Sequence, residues 1–187
     1  MRRTKVISTA LLLLTGCIGG PDERTPPDLP PPPSCGGMPD LELGRCIDES
    51  TGAQCAGGEG EVASFETMTS GSDLRYVTGP QGSSMFVIAA RAEGIYPGDP
   101  ENPLGRESPL VEMTLVNEAG ATISVLRRRA AFDPDPAASG MYFNGGFFVI
   151  VDDRCPRDQM LRAVATLEDR DGETRCGDLE FTADCGG

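Results

Sequence analysis

Leu110-Val111-Glu112-Met113-Thr114-Leu115-Val116-Asn117, then Glu118-Ala119-Gly120-Ala121, then Thr122-Ile123-Ser124-Val125-Leu126-Arg127-Arg128-Arg129: this stretch decides the fold class. Val111, Met113 and Leu115 alternate with Glu112 and Thr114, the two-residue period of a half-buried strand. Asn117 to Gly120 supplies turn residues, and Ile123 and Val125 share one face beyond it. Two alternating runs joined by so short a turn make an antiparallel hairpin. Working outward, Ser84–Glu93 sets Met85, Val87 and Ala89 against Phe86, Ile88 and Ala90. Apolar on both faces, it reads as a central strand. Gly146–Asp152 is another strand of buried type. Leu161–Glu168 and Thr174–Ala183 flank a turn at Asp169-Arg170-Asp171-Gly172, and Val62–Glu66 and Leu74–Val77 are shorter candidates. No stretch sustains an apolar repeat of helical period.

About seven short strands separated by Gly, Pro and Asp turns predict an all-β body over residues 61–187, an antiparallel β-sandwich. In pattern it is similar to the immunoglobulin-like domains of secreted bacterial surface proteins, which implies two packed sheets. The paired cysteines around a buried tryptophan found in immunoglobulin domains have no counterpart here, since the chain has no Trp. Two long Pro-containing loops, Pro97–Pro109 and Asp133–Met141, are where such a fold carries function.

The chain has seven cysteines. Cys17 stands apart, and Cys35, Cys46, Cys55, Cys155, Cys176 and Cys185 form two clusters of odd number. If all six are oxidised, at least one bond joins the two clusters. No Cys-x-x-Cys and no histidine are present, which argues against zinc or an iron–sulfur cluster. The best single pair is Cys155–Cys185. An antiparallel register with Leu161 opposite Leu179 keeps the apolar faces together and sets these two cysteines opposite each other. Placing Gly172 in the left-handed position of a three-residue loop favours a register shifted by two residues. The irregular segment around Pro156 can absorb that shift. Such a bond closes about 31 residues and contributes roughly 3–4 kcal/mol on chain-entropy grounds. Cys176 then pairs with Cys35, Cys46 or Cys55, and the remaining two pair together.

At the start of the chain Arg2, Arg3 and Lys5 precede an apolar run from Val6 to Leu14, too short to span a bilayer and of the size of a signal-peptide core. It ends in Leu14-Thr15-Gly16-Cys17, which resembles the lipobox of bacterial lipoproteins. The resemblance implies removal of residues 1–16 as a signal peptide, and diacylglycerol and acyl (palmitate-type) modification of Cys17, which would anchor the chain in a lipid bilayer. By the same analogy Ile18, standing where an Asp favours the inner membrane, leans towards the outer membrane of the cell envelope. Residues 17–34 form a lipidated, Pro-rich linker. Its prolines forbid helix and sheet ladders and favour polyproline II, a semi-rigid tether reaching roughly 50 Å. Residues 35–60 follow as a disulfide-linked N-terminal segment.

Formal charge is −13, and loss of the three basic residues at the start makes the mature chain more acidic. Such a surface argues against nucleic acid as a partner, and any membrane attachment has to be hydrophobic or covalent. With no histidine and Lys5 the only lysine, the usual triad base, Schiff-base chemistry and a P-loop are missing. Catalytic residues are therefore not assigned. Asp133, Asp135, Asp169 and Asp171, with Asp152, Asp153 and Glu173 in similar turns, are weak calcium candidates, although tight turns use the same residues. No small-molecule cofactor is implied. On a strand Arg127-Arg128-Arg129 alternates between faces, which suits edge protection or pairing with acidic loops better than an anion site. The Gly79-Pro80-Gln81-Gly82 segment is a turn and lacks the adjoining helix of a phosphate loop. The chain reads as a membrane-anchored envelope lipoprotein whose body is a binding or structural module. A carboxylate-pair hydrolase, or an inhibitor or accessory subunit of an envelope complex, is the alternative.

Overall fold

A computed structural model describes residues 29–36, 40–55, 63–79, 82–151 and 155–186. The signal segment, the Leu14–Cys17 motif and most of the Pro-rich linker lie outside the described residues, as do Asp152 and Asp153.

The described chain is all-β. Ten strands form it: β1 (Leu41–Asp48), β2 (Ala63–Thr67), β3 (Ser72–Thr78), β4 (Ser84–Glu93), β5 (Leu110–Asn117), β6 (Thr122–Arg129), β7 (Asp133–Pro134), β8 (Met141–Ile150), β9 (Met160–Glu168) and β10 (Thr174–Asp184). Sequence reading expects about seven, all antiparallel, and the structure corrects both points. Three causes raise the number. Leu41 and Leu43 alternate with Glu42 and form β1 within the segment read only for its cysteines, β7 is two residues long, and each short candidate proves to be a full strand. The parallel pair, β3 with β10, arises because β3 serves two layers.

The hydrogen-bonded path runs β2-β1-β4-β3-β10-β9-β5-β6, with β8 on the other edge of β4 and β7 on β8. One edge of β4 is shared. Tyr76–Thr78 of β3 pairs with Ser84–Phe86, and Leu41–Gly44 of β1 pairs with Ala89–Ala92. The first half of β3, Ser72–Arg75, instead lies parallel to Phe181–Asp184 of β10. This switch folds the path into two layers. Both line one core, in which Phe86, Ile88 and Phe147 meet Met113, Leu115, Leu161 and Phe181. Phe86 and Phe181 pack edge to face at 5.1 Å between ring centres, a preferred aromatic geometry. The opposite face of β4 is also covered: Ala89 joins Cys46, Cys55, Phe65 and Phe143 in a second, smaller cluster.

The free edges of the two layers meet at β6 and β8 without a ladder. Side chains make the seam. Ser124 Oγ donates to the Ile150 carbonyl at 2.5 Å, Arg128 Nη2 to the Gly146 carbonyl at 2.9 Å, and Asn144 Nδ2 to the Ala131 carbonyl at 2.7 Å. Such bonds occupy backbone groups that an open edge would offer to another chain. On the other side β1 crosses close over β10. Asp40 N donates to the Cys176 carbonyl at 3.2 Å, and a Cβ at Gly177 would run into the Leu41 carbonyl. Only glycine fits that crossing.

Candidate functional site

Three disulfides are present: Cys35–Cys176, Cys46–Cys55 and Cys155–Cys185. One ties the N-terminal segment to β10, one closes a short loop within that segment, and one closes β10 onto the approach to β9. The register beneath that last bond differs from the one that sets Leu161 opposite Leu179. Leu161 pairs with Phe181 and Glu168 with Thr174, so the β9–β10 ladder is shifted by two residues. Gly172 at φ 82° decides this, because its left-handed conformation closes the Asp169–Glu173 turn. A tight turn takes up the offset at the cysteine: Arg157 N donates to the Cys155 carbonyl and Gln159 N to the Pro156 carbonyl.

The Pro97–Pro109 loop is built rather than loose. Three successive turns bond Asn102 N to Asp99 O, Gly105 N to Asn102 O and Ser108 N to Gly105 O. Its two ends are pinned, with Phe132 N donating to Pro97 O at 2.7 Å and Arg129 Nη1 to Ser108 O at 2.7 Å. Arg170, from the β9–β10 turn, lies 3.7 Å from the centre of the Tyr96 ring and pairs with Glu107 at 3.2 Å. On this rigid frame Leu104 is 68% exposed. Loop and β9–β10 turn share one end of the body, because Leu110 of β5 stands beside Glu168 of β9.

The acidic candidates go to structure. Asp135 is buried; its Oδ2 accepts from Arg91 at 2.9 Å and its Oδ1 from Ala137 N at 2.9 Å. Asp169, also buried, accepts amide bonds from Tyr96 at 3.2 Å and from Asp171 and Glu173 at 3.0 Å each. It caps its own turn and fastens that turn to the start of the long loop. Asp133 is exposed in β7, and Asp171 is exposed beside Arg170 at 3.6 Å. Among the described residues no three His, Cys, Asp or Glu side chains gather as metal ligands would.

Arg127, Arg128 and Arg129 alternate. Arg127 faces Glu112 at 3.5 Å in solvent, whereas Arg128 turns inward over the Phe147 ring at 5.3 Å. Burial pulls the Arg128 guanidinium below its ordinary pKa. Arg91 is a feature that sequence reading leaves out. It emerges between β4 neighbours to bind Asp135, Glu42 at 2.6 Å and the face of Phe65 at 4.3 Å. Burial pulls its pKa down, and the bonds to Asp135 and Glu42 outweigh that pull and raise it. An arginine inside an otherwise apolar central strand was the available signal, since a charge placed there needs buried partners.

The Pro-rich linker also behaves differently from a free tether at its far end. Thr122 Oγ1 donates to the Pro30 carbonyl at 2.9 Å, and Cys35 is bonded to Cys176. Residues 29–36 therefore lie on the body.

Several hollows mark the described surface. One of about 490 Å³ lies between Val116, Glu118, Met160 and Glu180 at the end away from the long loop. Another, of about 590 Å³, is lined by Asp40, Glu42, Glu93 and Arg175, and its Asp40 and Glu42 are already ion-paired, to Arg175 and Arg91. Comparison with protein-family models, with curated proteins and with solved structures finds no match to this chain.

Proposed function

We propose that the chain is an envelope lipoprotein, anchored through acylated Cys17 with outer-membrane placement, whose β-body is a binding module for another envelope protein. Three disulfides indicate an oxidising, extracytoplasmic environment. Among the described residues no helix is long and apolar enough to cross a membrane. Covalent lipid on Cys17 supplies attachment to so acidic a chain. The alternating strands and layered core support a likeness to immunoglobulin-like modules, which carry function in loops.

The observation that carries the binding reading is the Pro97–Pro109 loop. A rigid loop holding out an apolar side chain loses little freedom when a partner covers it, so more of the contact energy becomes affinity. The loop also stands at the end opposite the point where the linker reaches the body, beside Thr122. Anchoring at Cys17 thus presents Leu104 away from the bilayer.

Two measurements test this. Cys17→Ser abolishes palmitate incorporation and releases the protein or leaves it unprocessed; normal labelling of that variant refutes the anchor. A photo-crosslinking residue at position 104 captures a discrete envelope protein in living cells, whereas one at position 119 does not. Equal capture at both positions, or none at 104, refutes the loop as the contact.

A further inference from the structure

We propose that residues Leu29–Cys35 are a strap across the outer face of the β6-β5-β9-β10 layer, and that the Cys35–Cys176 disulfide is a latch that a dithiol reductant opens without unfolding the body.

The path of the strap follows from its two fixed ends. Pro30 is held at Thr122, the first residue of β6, which stands level with Val116 of β5. Cys35 is held at Cys176 of β10, level with Thr166 of β9. Between these points lie three strand spacings of about 4.8 Å each and four residues of strand rise at about 3.3 Å. The diagonal joining them passes midway over the cross-strand pair Thr114–Val164.

That pair is where cover is needed. Val111, Met113 and Leu115 of β5 and Leu161, Ala163, Ala165 and Leu167 of β9 face the core, so Thr114 and Val164 face outward. Yet Thr114 and Val164 are each 1% exposed. Pro32 and Pro33, in the middle of the strap, are themselves half-buried. The strap's composition suits the task. Four consecutive prolines, Pro30–Pro33, carry no N–H, so they can lie on a side-chain surface without burying an unsatisfied donor. They are also stiff, which lets two end attachments hold the whole segment down.

The latch is accessible. Cys35 and Cys176 are both half-exposed, as are Cys155 and Cys185, whereas Cys46 and Cys55 are buried. Of the two half-exposed bonds only Cys35–Cys176 holds the strap. Cys176 sits on the outer face of β10, opposite in direction to the core residues Leu179 and Phe181. A thiolate of a dithiol reductant attacks one sulfur, forming a mixed disulfide and releasing the other cysteine as a thiolate. The second thiol of the reductant then displaces the remaining cysteine and closes the reductant's own disulfide. Two electrons and two protons end on Cys35 and Cys176. The consequence for reach rests on the anchoring reading above: freeing the strap adds about 20 Å to the tether and ends its fixed exit at Thr122. The latch itself does not depend on that reading.

The full-length chain in detergent micelles tests it, comparing wild type with Cys35→Ser/Cys176→Ser by hydroxyl-radical footprinting. Oxidation of Pro32, Pro33 and Val164 rises several-fold in the variant, while Leu115 and Phe181 stay protected. Under graded dithiol treatment of wild type, alkylation reaches Cys35 and Cys176 before Cys46 and Cys55. Continued protection of Val164 overturns the strap as its cover. Joint oxidation of Val164 and the core residues, or opening of Cys46–Cys55 first, overturns the latch. Retained palmitate on Cys17 with no change at Val164 separates failure of the strap from failure of the anchor.

Discussion

Phe181 stands directly opposite Leu161 across the β9–β10 ladder, and both side chains are buried in the core. Continued outward, that register passes Cys155 and Cys185 by two residues, yet the two are bonded. The Cys155–Gln159 turn makes up the difference. Asp158 occupies it at φ 57°, the only non-glycine residue with positive φ among those described.

Asp158 is therefore where the cost of the offset shows. Asp tolerates the left-handed region better than most residues, and β-branched residues tolerate it worst. Asp158→Val should destabilise the oxidised protein by about 1–2 kcal/mol, with Asp158→Asn nearly neutral. Urea midpoints measure both. Equal midpoints for Val and Asn variants would show that the turn relaxes and holds no such constraint.

Two glycines separate crowding from conformational freedom. At Gly177 the obstacle is the Leu41 carbonyl, a backbone atom of another strand that cannot rotate aside. Gly177→Ala should cost about 3 kcal/mol, at the upper end of overpacking effects. Gly172 has open space around it but sits at φ 82°. Gly172→Ala should cost about 1 kcal/mol through backbone strain alone. Thermal unfolding of the two variants gives the comparison, and a milder effect at Gly177 than at Gly172 would contradict the close crossing of β1 over β10.

Arg91 and Asp135 form the most enclosed ion pair, with side-chain exposures of 16% and 0%. Removing the cation leaves a buried carboxylate without its charge partner, so Arg91→Ala should lose about 3–5 kcal/mol. Asp135→Asn keeps an acceptor for the Ala137 amide and removes the charge, and should cost less. The double variant should lose less than the two singles added together. Strict additivity in denaturant unfolding would mean that the two side chains act independently.

Much of this architecture is legible in the residues, for stated reasons. Strands β4, β5 and β6 have the boundaries that alternation and turn residues predict, because local period and tertiary burial agree there. Strand β1 carries the same signal in Leu41-Glu42-Leu43, but Gly44, where a side chain would meet β2, interrupts it. Turn chemistry outweighed facing apolar pairs in setting the β9–β10 register, since Phe181 serves as well as Leu179 opposite Leu161. The exchange of β3 between layers has no local signature. Nor does the strap, whose prolines read as a spacer until Thr122 and Cys176 are seen to hold them.

The Arg45–Glu66 pair gives the acid limb of stability a defined sign. It links β1 to the edge strand β2, with Arg45 Nε donating to Glu66 at 2.7 Å. That hydrogen bond, with the guanidinium's charge, holds the Glu66 carboxyl below its ordinary pKa. A group whose folded pKa is depressed binds its proton more readily when unfolded. Its contribution is therefore present above the unfolded value, about 4.3 for Glu, and is lost as pH falls through the lower folded value. Both side chains are well exposed to solvent, so the screened contribution is about 0.5 kcal/mol, within the range for surface pairs. Glu66→Gln removes the titration while keeping the size of the side chain. The gap in urea midpoint between wild type and Glu66→Gln should be full at pH 6 and shrink as pH falls below the ordinary carboxylate range. A gap that stays constant down to pH 3, or widens, would assign the difference to packing of β2 on β1 rather than to the charge on Glu66.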